Sequence, residues 1–267
     1  MRFGLAVRCL MSLLALASIL CLAEAGVVIP VTVKDYTSRP IASHTIEVSI
    51  EGRSLYADLS GLTAPERCEI IYRGEIGTLF IVDRRRKVVS AYDGNIVDGL
   101  SSGVGFARET ASRIIDALRG QPSRPRKQRI ELKRTELKRY LQGRPCRAFF
   151  VFEDGRKLQE IWATSWKTAG IGKQDIQAAR ELLSYFSRVM SEPSFSKIHS
   201  QIEYIPGREL LKIDGFPVLI RHFGPDGIAY DISLGKPRRT DIDPSRFSYP
   251  KGFARKNGFA ALLLGSS

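Results

Sequence analysis

The side chains that could carry chemistry in this chain are few and scattered. Its three histidines are His44, His199 and His222. None has a second ligand at metal spacing, so neighbours in sequence assemble neither a zinc site nor a nucleophile–histidine pair. They read as isolated sheet or surface histidines. Glu153, Asp154 and Glu160 come nearest to the paired carboxylates of acid–base catalysis. Two of them fall in a tight turn, and the third faces outward by alternation from Leu158 or stands beside Trp162, so all three read as solvated charges. Gly103-Val104-Gly105 ahead of a helix could expose amides to an anion. No Lys-Ser or Lys-Thr follows and no nucleotide fingerprint surrounds it. The expectation is a chain that is not an enzyme and has no metal ligands and no cofactor.

Two other groups of residues point to binding. Trp162 and Trp166 fall on one face of a predicted strand with Leu158 and Thr164, Phe150 and Phe152 lie on the strand before it, and Phe186 on a predicted helix. These rings either wall an apolar ligand cavity or fill a core. The second group is cationic. Between Arg119 and Arg139 nine Lys or Arg stand against Glu131 and Glu136, a local net of +7. Arg124, Arg126, Lys127, Arg129, Lys133 and Arg134 are the candidates for contact with an anionic surface. The alternative is a solvated linker whose charge serves solubility.

The elements that must position these groups are mostly strands. His44, Ile46, Val48 and Ile50 alternate with polar partners, Gly52 breaks the run, and Leu55, Ala57 and Leu59 resume it. Ile70 to Tyr72, Leu79 to Val82 and Val88 to Tyr92 follow, separated by turns at Gly74–Gly77 and at the charged tip Asp83–Lys87. Ala107, Ala111, Ile114, Ile115 and Leu118 recur at helical spacing, with Gly120 as the cap. Ile130, Leu132, Leu137 and Leu141 fit a strand better than a short helix. Ala148 to Phe152 and Leu158 to Trp166 flank the turn Glu153-Asp154-Gly155 as the best-defined hairpin. A second helix carries Ile176, Ala179, Leu182, Leu183, Phe186, Val189 and Met190 on one face before Pro193. Runs at Lys212–Phe223, Ile228–Leu234 and around Phe247–Phe253 close the chain.

Composition adds a compartment. Arg2 and Arg8 flank a short positive region, Cys9 to Leu22 is apolar, and Ala23-Glu24-Ala25 offers a cleavage site. The fourteen-residue apolar run falls short of the roughly 20 a membrane helix needs. Cleavage after Ala25 would leave 242 residues with 39 basic against 27 acidic side chains, a net of +12. A lipid-modified Cys21 is the weaker reading, because Leu20 stands where a small residue is wanted. In an oxidising compartment Cys68 and Cys146 could pair, or remain buried thiols.

Three segments together carry a resemblance. Gly143-Arg144-Pro145-Cys146 running into Phe149–Phe152, then Asp154-Gly155-Arg156-Lys157 and Glu160-Ile161-Trp162-Ala163-Thr164, resembles the central hairpin of a group of exported bacterial domains. These are similar in fold to periplasmic lipoprotein carriers of the LolA type. Gly215-Phe216-Pro217-Val218 and Phe247–Phe253 look like the group's closing pattern, and Phe80–Asp83 with Lys87 and Tyr92 like its earlier hairpin. The resemblance implies a mainly β fold: a curved antiparallel sheet forming an unclosed half-barrel, with two helices covering or plugging its concave face. The organisation expected is a leader over 1–25, an N-terminal extension over 26–43, the half-barrel over 44–256 with a basic insert near 119–140, and a tail over 257–267. The expected role is that of an exported periplasmic or secreted non-enzymatic protein. Its partner is either a lipid, acyl chain or lipoprotein in an apolar concavity, or an anionic envelope surface met by the basic segment. Nucleic acid is not an expected partner.

Overall fold

The computed structural model describes residues 25–59, 68–92, 129–189 and 207–257. The leader up to Glu24, the glycines at 103–105, the helix expected over 106–119, Arg124, Arg126, Lys127, His199 and the tail from Gly258 lie outside them, as does the side chain of Phe186.

Strands dominate, as the alternation predicts. They are β1 (Gly26–Asp35), β2 (Ala42–Glu51), β3 (Ser54–Asp58), β4 (Cys68–Arg73), β5 (Thr78–Asp83), β6 (Val88–Tyr92), β7 (Ile130–Leu141), β8 (Arg144–Glu153), β9 (Arg156–Thr164), β10 (Phe216–Gly224), β11 (Gly227–Leu234), β12 (Arg238–Thr240) and β13 (Ala254–Asn257). All belong to one sheet in the order β13-β6-β5-β4-β3-β2-β1-β11-β10-β9-β8-β7, with β12 beside β1. Every pairing is antiparallel except β13 on β6. The sheet does not close, because β7 and β13 end it on opposite sides.

Residues 26–43 are not an extension outside the domain. They contain β1, which joins the two halves of the sheet by pairing β2 on one side and β11 and β12 on the other. A proline in a central strand normally argues against the strand, because it cannot donate to the ladder. Pro30 is tolerated because β12 pairs only through Val28 and β11 only from Val31, so Pro30 falls in the gap. Its carbonyl still accepts the Gly235 N–H at 2.7 Å.

The turn signals are obeyed. Asp154 and Gly155 both take positive φ, 49° and 86°, as the tight turn joining β8 to β9 requires. The described part of the basic stretch belongs to the sheet: from Ile130 it forms β7, whose half-buried Ile130 and Leu132 alternate with exposed Glu131 and Lys133. The run at 212–223 splits. A helix over Gly207–Lys212 ends it on one side and β10 begins only at Phe216. Gly215 stands between them, where a Cβ would lie 2.5 Å from the Thr164 carbonyl oxygen. Since that neighbour is backbone and cannot swing away, Gly215→Ala is expected to cost about 2 kcal/mol, read as a lowered thermal midpoint. Phe247–Phe253 is likewise no strand. Its Phe247 ends a 3₁₀ turn over Pro244–Phe247, and β13 starts at Ala254.

Two helices follow β9. Ser165 caps the short α1 (Trp166–Ala169) by accepting the Thr168 N–H at 3.1 Å, and α2 spans Gln177–Val189. The helix over Gly207–Lys212 is then α3. The buried face of α2 centres on Ala178, Leu182 and Tyr185; of the expected stripe, Leu182 is buried, and Ile176 and Ala179 are partly buried against the same cluster. With Ala169 and Ile171 these residues pack in one cluster with Val27, Ile29, Ile50, Leu55, Tyr72 and Leu79 from β1 to β5. α1 and α2 therefore pack their side chains against this part of the sheet. The opposite side of β4 to β6 packs Ile71, Phe80, Val82 and Val89 under Tyr249 and Phe253.

Candidate functional site

Of the aromatic and cationic candidates, Phe150, Phe152, Trp162 and Lys133 meet on one face of β7 to β11. The register runs Lys133 to Phe150, Phe150 to Glu160, Glu160 to Arg221 and Arg221 to Asp231, so these five share a row and a face. Two residues along β8, Phe152 stands edge-on to Phe150 with ring centroids 6.4 Å apart. Cations lie over the rings: Lys133 Nζ is 5.0 Å from the Phe152 centroid, and Lys157 Nζ is 4.8 Å from Phe150 and 4.4 Å from Phe223. The Arg139 guanidinium sits 5.2 Å from the buried Trp162 ring. Each cation spreads its stem on an aromatic surface while its head stays wet. Phe150, Phe152 and Phe223 remain half-buried beneath them.

The acids on this face are spoken for. Glu160 accepts the Trp162 indole N–H at 2.7 Å and lies 3.3 Å from Lys157. Asp231 takes a two-pronged bond from Arg221, both contacts 2.8 Å, and a third from the Tyr36 hydroxyl at 3.1 Å. Burial alone would raise the Asp231 carboxyl, but the Arg221 bonds and charge and the Tyr36 hydroxyl outweigh it and hold it below its usual value. The same pairing raises the Arg221 guanidinium.

The edge strand β7 borders this face, with Arg139 on the same side as Phe150 and its neighbour Tyr140 turned to the other side of the sheet. A register shift between Arg134 and Lys138 bulges β7. Thr135 holds the bulge: its hydroxyl donates to the Ala148 carbonyl at 2.9 Å and accepts the Leu137 N–H at 3.2 Å. Beyond it Leu137 is 53% and Tyr140 76% exposed, interleaved with exposed Lys138 and Arg139. Charged residues are the usual protection of an edge strand. Exposed Leu137 and Tyr140 do not serve that purpose.

Of the residues singled out from sequence, the structure brings Phe150, Phe152, Trp162 and Lys133 together. Arg134 is exposed on β7 at the position facing Phe149, and Arg129 precedes β7 with its N–H donated to the Asp154 carboxylate at 3.0 Å. Trp166 packs against the same hydrophobic cluster as Trp162 and Phe150, but from a helix. It opens α1 instead of continuing β9, donates to Asp214 at 3.2 Å and stands edge-on to Phe216. His222 is fully buried and stacked on Tyr230, while His44 is exposed on β2. Among the described residues no group of three potential metal ligands forms. Sequence reasoning missed Lys157, Arg139 and Phe223. Alternation outward from the Asp154-Gly155 turn could have placed Lys157, but the neighbourhood of Phe223 depends on pairing across the sheet.

Among the described residues Cys68 and Cys146 are not joined by a disulfide. Cys68 in β4 and Cys146 in β8 lie seven places apart in the sheet, a path of about 33 Å at the usual strand spacing. A disulfide needs Cα atoms within about 7 Å. Burial pushes the Cys146 thiol up, which slows its attack on reagents. In protein beginning at Gly26, thiol titration is expected to find two reactive groups in denaturant, with Cys146 blocked in the native protein; one disulfide in the mass spectrum would contradict this.

No family model and no curated protein matches the chain. Among solved structures it is similar to an uncharacterized conserved protein from Thermus thermophilus, with TM-score 0.45 and 8% identity over 88% of this chain and 91% of that one. It is also similar to MucB, with TM-score 0.36 and 9% identity over 87% of this chain and 60% of that one. A LolA superfamily protein from Nitrosomonas europaea matches with TM-score 0.30 and 6% identity over 85% of this chain and 91% of that one.

Proposed function

We propose that this chain is an exported, non-enzymatic binding protein that docks on anionic lipid surfaces through the β7–β9 face. The observation that carries the reading is the set of Lys133, Lys157 and Arg139 over Phe152, Phe150, Phe223 and Trp162, beside exposed Leu137 on the edge strand. A lipid surface offers what such a face can use: phosphate and carboxylate headgroups for the cations, and an interfacial apolar layer for the rings and Leu137. Among the described residues no helix is long and apolar enough to cross a membrane. Carriage of an acyl chain between sheet and helices is the less supported role, because Leu182, Tyr185 and Ala178 already pack there.

Co-sedimentation of the purified protein with vesicles tests the reading. Vesicles containing phosphatidylserine are expected to carry the protein down, and pure phosphatidylcholine vesicles to leave it in solution. Equal recovery with the two would remove the proposal.

A further inference from the structure

A second polar site lies away from the docking face, where the turns at one end of β3 to β5 meet the first half of α2. It is a cleft of about 630 Å³ lined mainly by Arg53, Tyr72, Lys173, Gln177, Arg180 and Glu181. That volume lies inside the range of roughly 300 to 1,000 Å³ typical of small-ligand sites. Leu211 is the one aliphatic side chain lining it, so an acyl chain finds little to contact there. The cations are three and the acid is one, a lining charge of +2.

The acid does not cancel the site, because its acceptors are engaged. Arg53 clamps Glu181 through Nε at 2.9 Å and Nη2 at 3.1 Å, and the Gln177 amide at 2.9 Å and the Tyr72 hydroxyl at 3.3 Å add two more donors. This fixes the Arg53 guanidinium at the cleft with Nη1 outside the clamp. Gly74 allows the fit: a Cβ there would come within 2.4 Å of Glu181 Oε2 and 2.8 Å of the Arg53 carbonyl oxygen. Lys173 pairs with Asp214 at 3.0 Å, an exposed contact that holds it weakly. Arg180 donates from Nη2 to the Leu211 carbonyl at 3.5 Å, a long bond to a neutral acceptor that leaves its charge for a ligand. Gln174, Gln177 and Ser184 complete a ring of side chains that can donate.

We infer that this cleft binds the phosphate of a phosphomonoester. A phosphomonoester carries about −1.5 to −2 charges at neutral pH, which matches the lining charge, and three acceptor oxygens suit converging guanidinium, ammonium and amide donors. The group could arrive on a soluble metabolite or on a lipid headgroup, since the chemistry recognised is the same. The inference does not depend on the docking face, which uses other residues and another part of the sheet.

Calorimetric titration with glycerol 3-phosphate at constant ionic strength tests it, with phosphatidic acid vesicles as a second arm on protein carrying Lys133→Gln, Arg139→Gln and Lys157→Gln. A soluble monoester is expected to bind with a dissociation constant of about 1 mM or tighter, and Lys173→Ala and Arg180→Ala each to weaken it about tenfold. Binding to the vesicles alone, lost in the same two variants, supports the site and assigns the phosphate to a lipid. Both variants change half-exposed or exposed side chains, and circular dichroism confirms that they fold. No heat with glycerol 3-phosphate and no vesicle binding, or binding that both variants leave unchanged, overturns the inference.

Discussion

Replacing Arg221 by alanine is expected to cost about 3 to 5 kcal/mol of folding stability, because it strands the Asp231 carboxylate in a nearly buried position. The carboxylate has 10% of its side chain exposed, against 27% for Arg221. Tyr36 alone cannot replace two charge-assisted bonds. Exchanging both partners for apolar residues of similar size is expected to be close to neutral, since the stranded charge is then gone. Urea unfolding of Arg221→Ala and of an Arg221→Met, Asp231→Leu double variant separates the two effects; equal losses in both would contradict this explanation. The pH dependence has a defined sign. The folded Asp231 carboxyl titrates below its unfolded value near 3.9, so the unfolded chain binds the proton first as pH falls. Its contribution is fully present from about pH 5 upward and is lost through and below about pH 4. Asp231→Asn is expected to flatten that part of the stability curve.

Neutralising Lys133, Arg139 and Lys157 together to glutamine is expected to weaken binding to anionic vesicles on the order of 100-fold. Each cation near a negatively charged bilayer contributes about 1 kcal/mol, and three give about 3 kcal/mol. The thermal midpoint should hardly move. Lys133 and Glu131 are half-exposed at 3.5 Å, and the Lys157–Glu160 contact is a partly wet pair, so neither contributes much to folding. Leu137→Ser is expected to weaken binding without changing its salt dependence, since this residue contributes apolar area and no charge. A triple variant that binds as wild type would transfer the contact to other cations.

Local signals were legible and long-range ones were not. Asp154-Gly155 announces its turn because two successive positive φ values favour those residues, and the alternation on either side follows. Trp166 misled because alternation from Trp162 runs straight through Ser165, which is instead the cap of α1. β1 was obscured by Pro30, whose position in the gap between β11 and β12 is a property of the whole sheet. The candidate site was half visible for the same reason. Phe150, Phe152 and Lys133 show in β7 and β8 by composition, whereas Arg221, Phe223 and Asp231 join them only because β10 returns beside β9 after α1, α2 and α3. The missing bridge between Cys68 and Cys146 is the same lesson: separation in sequence carries no distance across a sheet.

If the cation-capped aromatic face binds lipid because of its charge, partition onto membranes must follow the charge of the membrane. The decisive quantity is the partition coefficient of the purified protein onto vesicles as the fraction of anionic lipid is raised at fixed ionic strength. A steep rise is expected for the wild type and a shallow one for the protein carrying Lys133→Gln, Arg139→Gln and Lys157→Gln. A partition coefficient that ignores anionic lipid, or one identical for the two proteins, would contradict a charge-driven docking face.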